Sequence, residues 1–232
     1  ILHPVDLVEE VATGVGYEDL GVATSNQSSA GIALPKMTLH RRVRESLQCQ
    51  GLHQIQSLSL SNESDQFDKM RTAKSGAVTR LHNPITIEHT ILRQHLLPSL
   101  LRLLGANRHH ELPQRVYELG TVVRGHHNQD RVSWVCAEVG SGFTGAKGIA
   151  QALLRDLGAA APKIEVEFTA IAEDEGPWLA GRGALISVAG EVVGTIGEID
   201  PAVGDSFELR VPIQAGEFDI EALGRLIPDP VL

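Results

Sequence analysis

Asp6, Glu9 and Glu10 stand at i, i+3 and i+4 in a stretch whose apolar residues recur with helical spacing, so their carboxylates share one helix face about a turn apart. Three anions so placed repel one another unless a cation neutralises them. Hard cations such as Mg²⁺ take oxygen ligands, commonly a few carboxylates plus water, which makes these three the candidate metal ligands. The same residues also suit a solvated acidic helix start, which the helix dipole favours. Gly140-Ser141-Gly142-Phe143-Thr144-Gly145 matches G-x-G-x-x-G between an expected strand and an expected helix, with Glu165 and Glu167 some way on, the context in which backbone N–H groups hold a pyrophosphate. Turn and cap glycines are the competing reading, because a further hairpin, rather than repeated strand-helix units, follows.

Two other sets carry less. His109-His110-Glu111 and His126-His127 are adjacent residues that point in different directions, without a thiolate or a spaced third partner, and read as solvated loop histidines. G-x-S-x-G, Walker, H-E-x-x-H and Cys-His nucleophile patterns are absent. No catalytic residue and no cofactor-binding residue is therefore named.

The elements that would position these residues alternate in groups. A first helix starts at His3-Pro4 and stops at Gly14, and a loop from Gly21 to Lys36, with the polar run Thr24 to Ser29, leads to a second helix. That helix is expected from a Thr38 cap to Gly51, with Leu39, Val43 and Leu47 inward and Arg41, Arg42, Arg44 and Glu45 outward. Ile55 to Ser61 reads as a strand, Thr90 to Arg93 as a short strand, and Leu96 to Leu104 as an apolar helical face. Residues 115 to 139 form a hairpin with a polar loop from Arg124 to Asp130. Ile149 to Leu157 restores the helical period, and Ile164, Val166 and Phe168 alternate as a strand. A second hairpin turns on Ala189-Gly190, Pro201 opens a helical turn, and Glu208 to Pro212 and Glu217 to Leu223 are strand-like. Hairpins with helices between them point to an α+β fold on a mainly antiparallel sheet.

The chain has 232 residues, 42% of them apolar, 4% aromatic and 21% charged, which suits an ordinary globular domain. A formal charge of −9 argues against a broad surface laid on a phosphate backbone. No apolar run approaches the roughly 18 residues needed to span a bilayer, so no membrane partner is expected. Cys49 and Cys136 suit two small buried thiols in a reducing, cytoplasmic compartment. Starting at Ile1 without Met, the sequence reads as a cut within a longer polypeptide.

The order of segments resembles phenylalanyl-tRNA synthetase beta subunits of archaeal and eukaryotic type. Ile1 to Ala12 with Gly16-Tyr17 is similar to the stretch leading out of that subunit's B5 domain. Asn83-Pro84, Leu92-Arg93, Leu96 to Leu101, Asn107, Pro113 and Val116 to Gly120 are similar to its next portion, as are Gly194 to Pro201, Val211-Pro212 and Glu217. The resemblance covers nearly the whole chain in the right order. It implies the end of a B5-like domain and linker over 1–36, then a class II synthetase core-like domain over 37–232, an antiparallel sheet flanked by helices.

Thr38 to Gly51 with Ile55 to Ser61 resembles motif 1 of that class, and the hairpin 115–139 sits where motif 2 belongs, yet Val116-Tyr117-Glu118-Leu119 has no Arg in the place that holds ATP phosphate. Gly216 to Glu221, in the place of motif 3, offers acids that would repel ATP. The resemblance thus implies a catalytically silent core that pairs with the catalytic alpha subunit in an (αβ)2 ligase attaching phenylalanine to tRNA with ATP, the tRNA being met through the full complex. It also implies Mg²⁺ at Asp6, Glu9 and Glu10 in the intact protein, with one more Asp expected before Ile1. The alternative is a nucleotide-dependent enzyme using Gly140 to Gly145.

Overall fold

The structure, a computed structural model, describes residues 1–232 except 25, 27, 28, 160–163, 173–175 and 228–232; much of the expected polar run Thr24 to Ser29 lies outside the described residues. The chain divides into two units, Ile1–Ala33 and Leu34–Leu232.

In the first unit, helix α1 (Pro4–Val15) starts with a reciprocal cap. His3 is extended and its Nδ1 accepts from the Val5 N–H at 3.1 Å, while Asp6 Oδ2 accepts from the N–H groups of His3 at 3.0 Å and Leu2 at 2.7 Å. Donors that a helix start leaves orphaned are thereby satisfied. The helix passes the expected stop at Gly14 and ends at Gly16, whose φ of 98° suits a residue without Cβ. A 3-10 turn, Tyr17–Leu20, follows.

The second unit is a sheet with helices on both faces. Its elements are α2 (Pro35–Cys49), β1 (His53–Gln54), β2 (Leu60–Ser61), β3 (Ile91–Leu92), α3 (Leu97–Ala106), β4 (Gln114–Arg124), β5 (His127–Ala137) and α4 (Phe143–Leu157). After these come β6 (Val166–Ala170), β7 (Trp178–Val188), β8 (Glu191–Ile199), α5 (Pro201–Ser206), β9 (Ile213–Asp219) and α6 (Ile220–Leu226). Seven strands form one sheet in the order β1-β4-β5-β9-β8-β7-β6, antiparallel except for the β1–β4 pair. The fold is therefore α+β with a mostly antiparallel sheet between helices.

Strand alternation sends Val132, Trp134, Cys136 and Phe218 to the face covered by α2, α4 and α6. Val135, Ala137, Ile213 and Ala215 go to the other face, beneath α3 and α5. Farther along this second face the same alternation brings Arg131, Ser133 and Glu217, all buried. The apolar core gives way there to charge.

Several local readings differ. Glu208 to Pro212 is not a strand: Glu208 takes φ of 62° in the turn after α5 and β9 begins only at Ile213, and of the two thiols Cys136 is buried while Cys49 is exposed at the end of α2. Helix α2 begins with Pro35 in its first turn and no side-chain cap, so Thr38 lies inside it; proline at a helix start explains the earlier beginning. The expected strand Ile55 to Ser61 shrinks to Leu60–Ser61, because residues between β1 and β2 leave the ladder and Ser57 turns its side chain toward Glu118. The polar loop Arg124 to Asp130 is strand up to a two-residue turn at Gly125-His126, with φ of 56° and 67°, the left-handed pair that matches strand twist in tight hairpins. Glu217 to Leu223 splits at Asp219, whose Oδ1 accepts from the Ala222 N–H at 2.9 Å and starts α6.

Candidate functional site

Three long strands and one irregular segment converge on the charged part of the second sheet face. β5 and β9 pair with Ser133 opposite Glu217 and Arg131 opposite Asp219, which sets Arg131 diagonal to Glu217. Its Nε donates to Glu217 Oε1 at 2.7 Å. The other carboxylate oxygen, Oε2, accepts from the N–H groups of Leu96 at 2.9 Å and Leu97 at 3.0 Å. Leu96 has no capping side chain of its own, so a carboxylate from β9 caps α3 from across the fold. Burial alone would raise the pKa of Glu217, but the Arg131 guanidinium, with Arg124 beyond it, outweighs burial and holds the carboxyl well below the usual range.

Arg124, at the end of β4, faces the same place. Its Nε donates to the Gln94 carbonyl and an Nη to His95 Nδ1, both at 2.9 Å. Burial, with repulsion from Arg131, pulls its pKa down to about 10. His95 is also lowered, by burial first, so its imidazole is neutral near pH 7.

The segment carrying His95 has little regular structure and is held by two buried glutamines. Gln66 Oε1 accepts from the N–H groups of Gln94 and His95, each at 2.9 Å, and its Nε2 donates to the His95 carbonyl at 3.2 Å. Gln94 in turn accepts from the Ser75 N–H at 2.7 Å and donates to the Ala77 carbonyl at 3.1 Å. Polar side chains here do what a ladder does in a strand.

Above these residues lies a cavity of about 650 Å³, lined in part by Arg124, Arg131, His95, Glu217 and Asp219 and in part by the apolar Met70, Leu97, Trp178 and Leu185. Arg131 is committed to Glu217, with Asp219 at 3.6 Å. Arg71, also on the lining, is paired with Asp200 at 3.1 Å. Such an arrangement can position a ligand, but most of its charge is already paired inside the protein.

The glycine segment sits on the opposite side of this chemistry. Gly140 takes φ of 88° in the turn after β5, and the Gly142 N–H donates to Gln214 Oε1 at 3.1 Å. A Cβ on Gly145 would lie 2.0 Å from that same oxygen, so glycine is needed there for close approach. β5 runs antiparallel to both neighbours, so the parallel βαβ unit that the dinucleotide reading requires is not formed at these glycines. His109 and His110 lie with ring centroids 4.3 Å apart and their planes tilted by 38°, and His126 Nδ1 meets Thr79 Oγ1 at 2.8 Å.

Asp6 is the residue already found capping α1 through Oδ2, and those backbone bonds lower its pKa. Glu9 and Glu10 follow on exposed positions of the same helix. Among the described residues no three His, Cys, Asp or Glu side chains converge as a metal-binding group. The three carboxylates are nonetheless of the donor class that Mg²⁺ prefers, and both backbone donors use a single oxygen of Asp6.

Residues 23–220 match the family described as the phenylalanyl tRNA synthetase beta chain CLM domain. The chain belongs to the phenylalanyl-tRNA synthetase beta chain family. It is 33% identical over 225 residues to the phenylalanine–tRNA ligase beta subunit of Archaeoglobus fulgidus, covering 96% of this chain and 40% of that protein. Beta subunits of Methanothrix thermoacetophila and Methanosarcina barkeri are 32% and 33% identical over 220 and 224 residues, again with 39% and 40% of their lengths covered. The chain thus spans about two fifths of the length of these relatives.

Two segments that carry the beta-chain resemblance meet in the structure. Arg93 and Glu118 form an ion pair at 2.8 Å, with side chains only 3% and 1% exposed. Ser57 Oγ lies between them, accepting from Arg93 at 2.7 Å and donating to Glu118 at 2.5 Å. A Cβ on Gly120 would stand 2.7 Å from the guanidinium and 2.9 Å from the carboxylate, which explains the spacing Glu118-Leu119-Gly120. This pair braces the second face rather than facing the cavity. The residues that do face it, Arg124, Arg131 and His95, escape sequence reasoning: the two arginines fall in the stretch read as a loop and its margin. Strict alternation from Glu118 through Gly120 and Val122 to Arg124 was the available signal.

Proposed function

We propose that this chain is a catalytically silent, class II synthetase core-like module of a phenylalanine–tRNA ligase beta subunit. In this reading it pairs with the alpha subunit in a cytoplasmic (αβ)2 assembly that uses ATP to attach phenylalanine to tRNA, which is met through the whole complex. Family membership supports the setting, and the committed state of the cavity charges carries the silence. A triphosphate brings several negative charges and needs several uncommitted cations, whereas here Arg131 and Arg71 are bound to carboxylates, which leaves Arg124 alone, 3.8 Å from Glu217.

The pairing surface in this proposal is the outward side of α2, where Met37, Arg41, Glu45 and Gln48 are exposed in helical succession. Arg41 lies 3.8 Å from Glu45, a surface pair of little worth alone, so its guanidinium is free to meet a partner. In the intact subunit Asp6, Glu9 and Glu10 would hold Mg²⁺, which would offset the repulsion of three carboxylates on one helix.

Phenylalanine-dependent exchange of pyrophosphate into ATP tests the silence. The protein alone should give none, and exchange should appear only with the alpha subunit present. Exchange by the protein alone, lost on Arg131→Gln, would overturn the proposal.

A further inference from the structure

The cavity on the second sheet face holds a feature that pairing with another subunit leaves unused. Arg124 is a half-buried residue whose guanidinium gives its hydrogen bonds to uncharged acceptors, the Gln94 carbonyl and His95 Nδ1. Among the described residues the one carboxylate within 4 Å of it is Glu217, at 3.8 Å, and the oxygen concerned already takes the Arg131 hydrogen bond at 2.7 Å. A guanidinium only donates, so His95 Nδ1 is the acceptor and the proton of the neutral ring sits on Nε2. That Nε2 is buried with no hydrogen-bond partner among the described residues. Arg124 and His95 both line the cavity, and an acceptor carrying negative charge would give Arg124 the counter-charge that its uncharged partners do not. The lowering of Arg124 by burial agrees with a cation short of counter-charge.

The apolar part of the lining sets the rest of the ligand. Met70, Leu97 and Trp178 are buried apolar residues there, and Leu185 is half-buried beside them. About 650 Å³ lies within the range of pockets that hold small organic molecules. Glu217 and Asp219 line the cavity too, so a second negative charge on the ligand would be repelled.

We propose that this cavity binds a small organic monocarboxylate with an apolar body, the carboxylate against Arg124 and the body against Met70, Leu97, Trp178 and Leu185. The proposal is independent of subunit pairing, and its test reads binding alone.

Isothermal titration of the protein with 4-phenylbutyrate, 4-phenylbutyramide, acetate and inorganic phosphate provides the test. The acid should bind at one site, and the amide, acetate and phosphate should each bind at least about tenfold more weakly, a difference of roughly 1.4 kcal/mol. Arg124→Gln should lose about tenfold or more, and so should Leu185→Trp, which fills the apolar part; circular dichroism and melting temperature confirm that each variant is folded. Should Arg124→Gln not fold, the acid against amide comparison on the unaltered protein decides. Equal binding of acid and amide, phosphate binding tighter than the acid, unchanged affinity in a folded Arg124→Gln, or no saturable binding up to about 10 mM, the upper end of weak ligand affinities, would each overturn the proposal.

Discussion

Glu217→Gln removes one negative charge and little volume from a buried charge cluster. Glu217 is 4% exposed and bonds three donors, Arg131 Nε and the amides of Leu96 and Leu97. The variant keeps one acceptor oxygen, but it leaves Arg131 and Arg124 facing each other with only Asp219, at 3.6 Å from Arg131, to offset them. Removing one partner of a buried pair costs about 3–5 kcal/mol. For a unit of this size about 2–4 °C accompanies each kcal/mol, so the melting temperature should fall by roughly 6–20 °C. The pH dependence follows from the direction of the shift. A carboxyl lowered in the folded state stabilises the fold fully above its unfolded value, about 4.3, and loses that contribution as pH falls through the folded value. Chemical denaturation of both proteins should therefore show a full gap at pH 7 that narrows below about pH 4. A loss under about 1 kcal/mol at pH 7, or a gap that widens in acid, would refute the view that paired charge holds this part of the fold.

Gly145→Ala puts a Cβ 2.0 Å from Gln214 Oε1 and should cost about 1–3 kcal/mol, whereas Gly148→Ala, exposed in the same helix with nothing within 4 Å, should stabilise by about 0.5–1 kcal/mol; equal effects in denaturation curves would contradict the close approach. Reversal of Arg41, Arg42 and Arg44 to Glu on the α2 face should leave the fold intact by circular dichroism and sharply weaken assembly with an alpha subunit, since like charges across an interface cost several kcal/mol; undiminished assembly in size exclusion would remove α2 from the contact surface. In a chain extended beyond Ile1, millimolar Mg²⁺ should raise the melting temperature. The rise should vanish in Glu9→Gln with Glu10→Gln, and an identical response in both proteins would rule these ligands out.

Much of the sheet was legible because its signals are local. The turn Ala189-Gly190, with φ of 51° and 81°, and the left-handed Gly158 behind α4 sit where the residue types place them. Helix starts were less legible: Pro35 outranked Thr38, and Asp219 divided a run read as strand. The cavity was hidden for a different reason. Glu217 was readable as an acid in the place of motif 3, but its charge is set by Arg131, 86 positions away in the chain, and by the amides of Leu96 and Leu97. No local pattern reports such a partnership. Likewise Arg93 and Glu118 were both singled out, and only the β4–β5 hairpin with the irregular segment before α3 brings them together.

Pairing with an alpha subunit is the central property proposed for this protein. Sedimentation velocity of the protein mixed with a phenylalanine–tRNA ligase alpha subunit at micromolar concentration, in physiological salt, measures it directly. A single faster boundary containing both chains is the predicted result, and two boundaries that sediment as each protein does alone would contradict it.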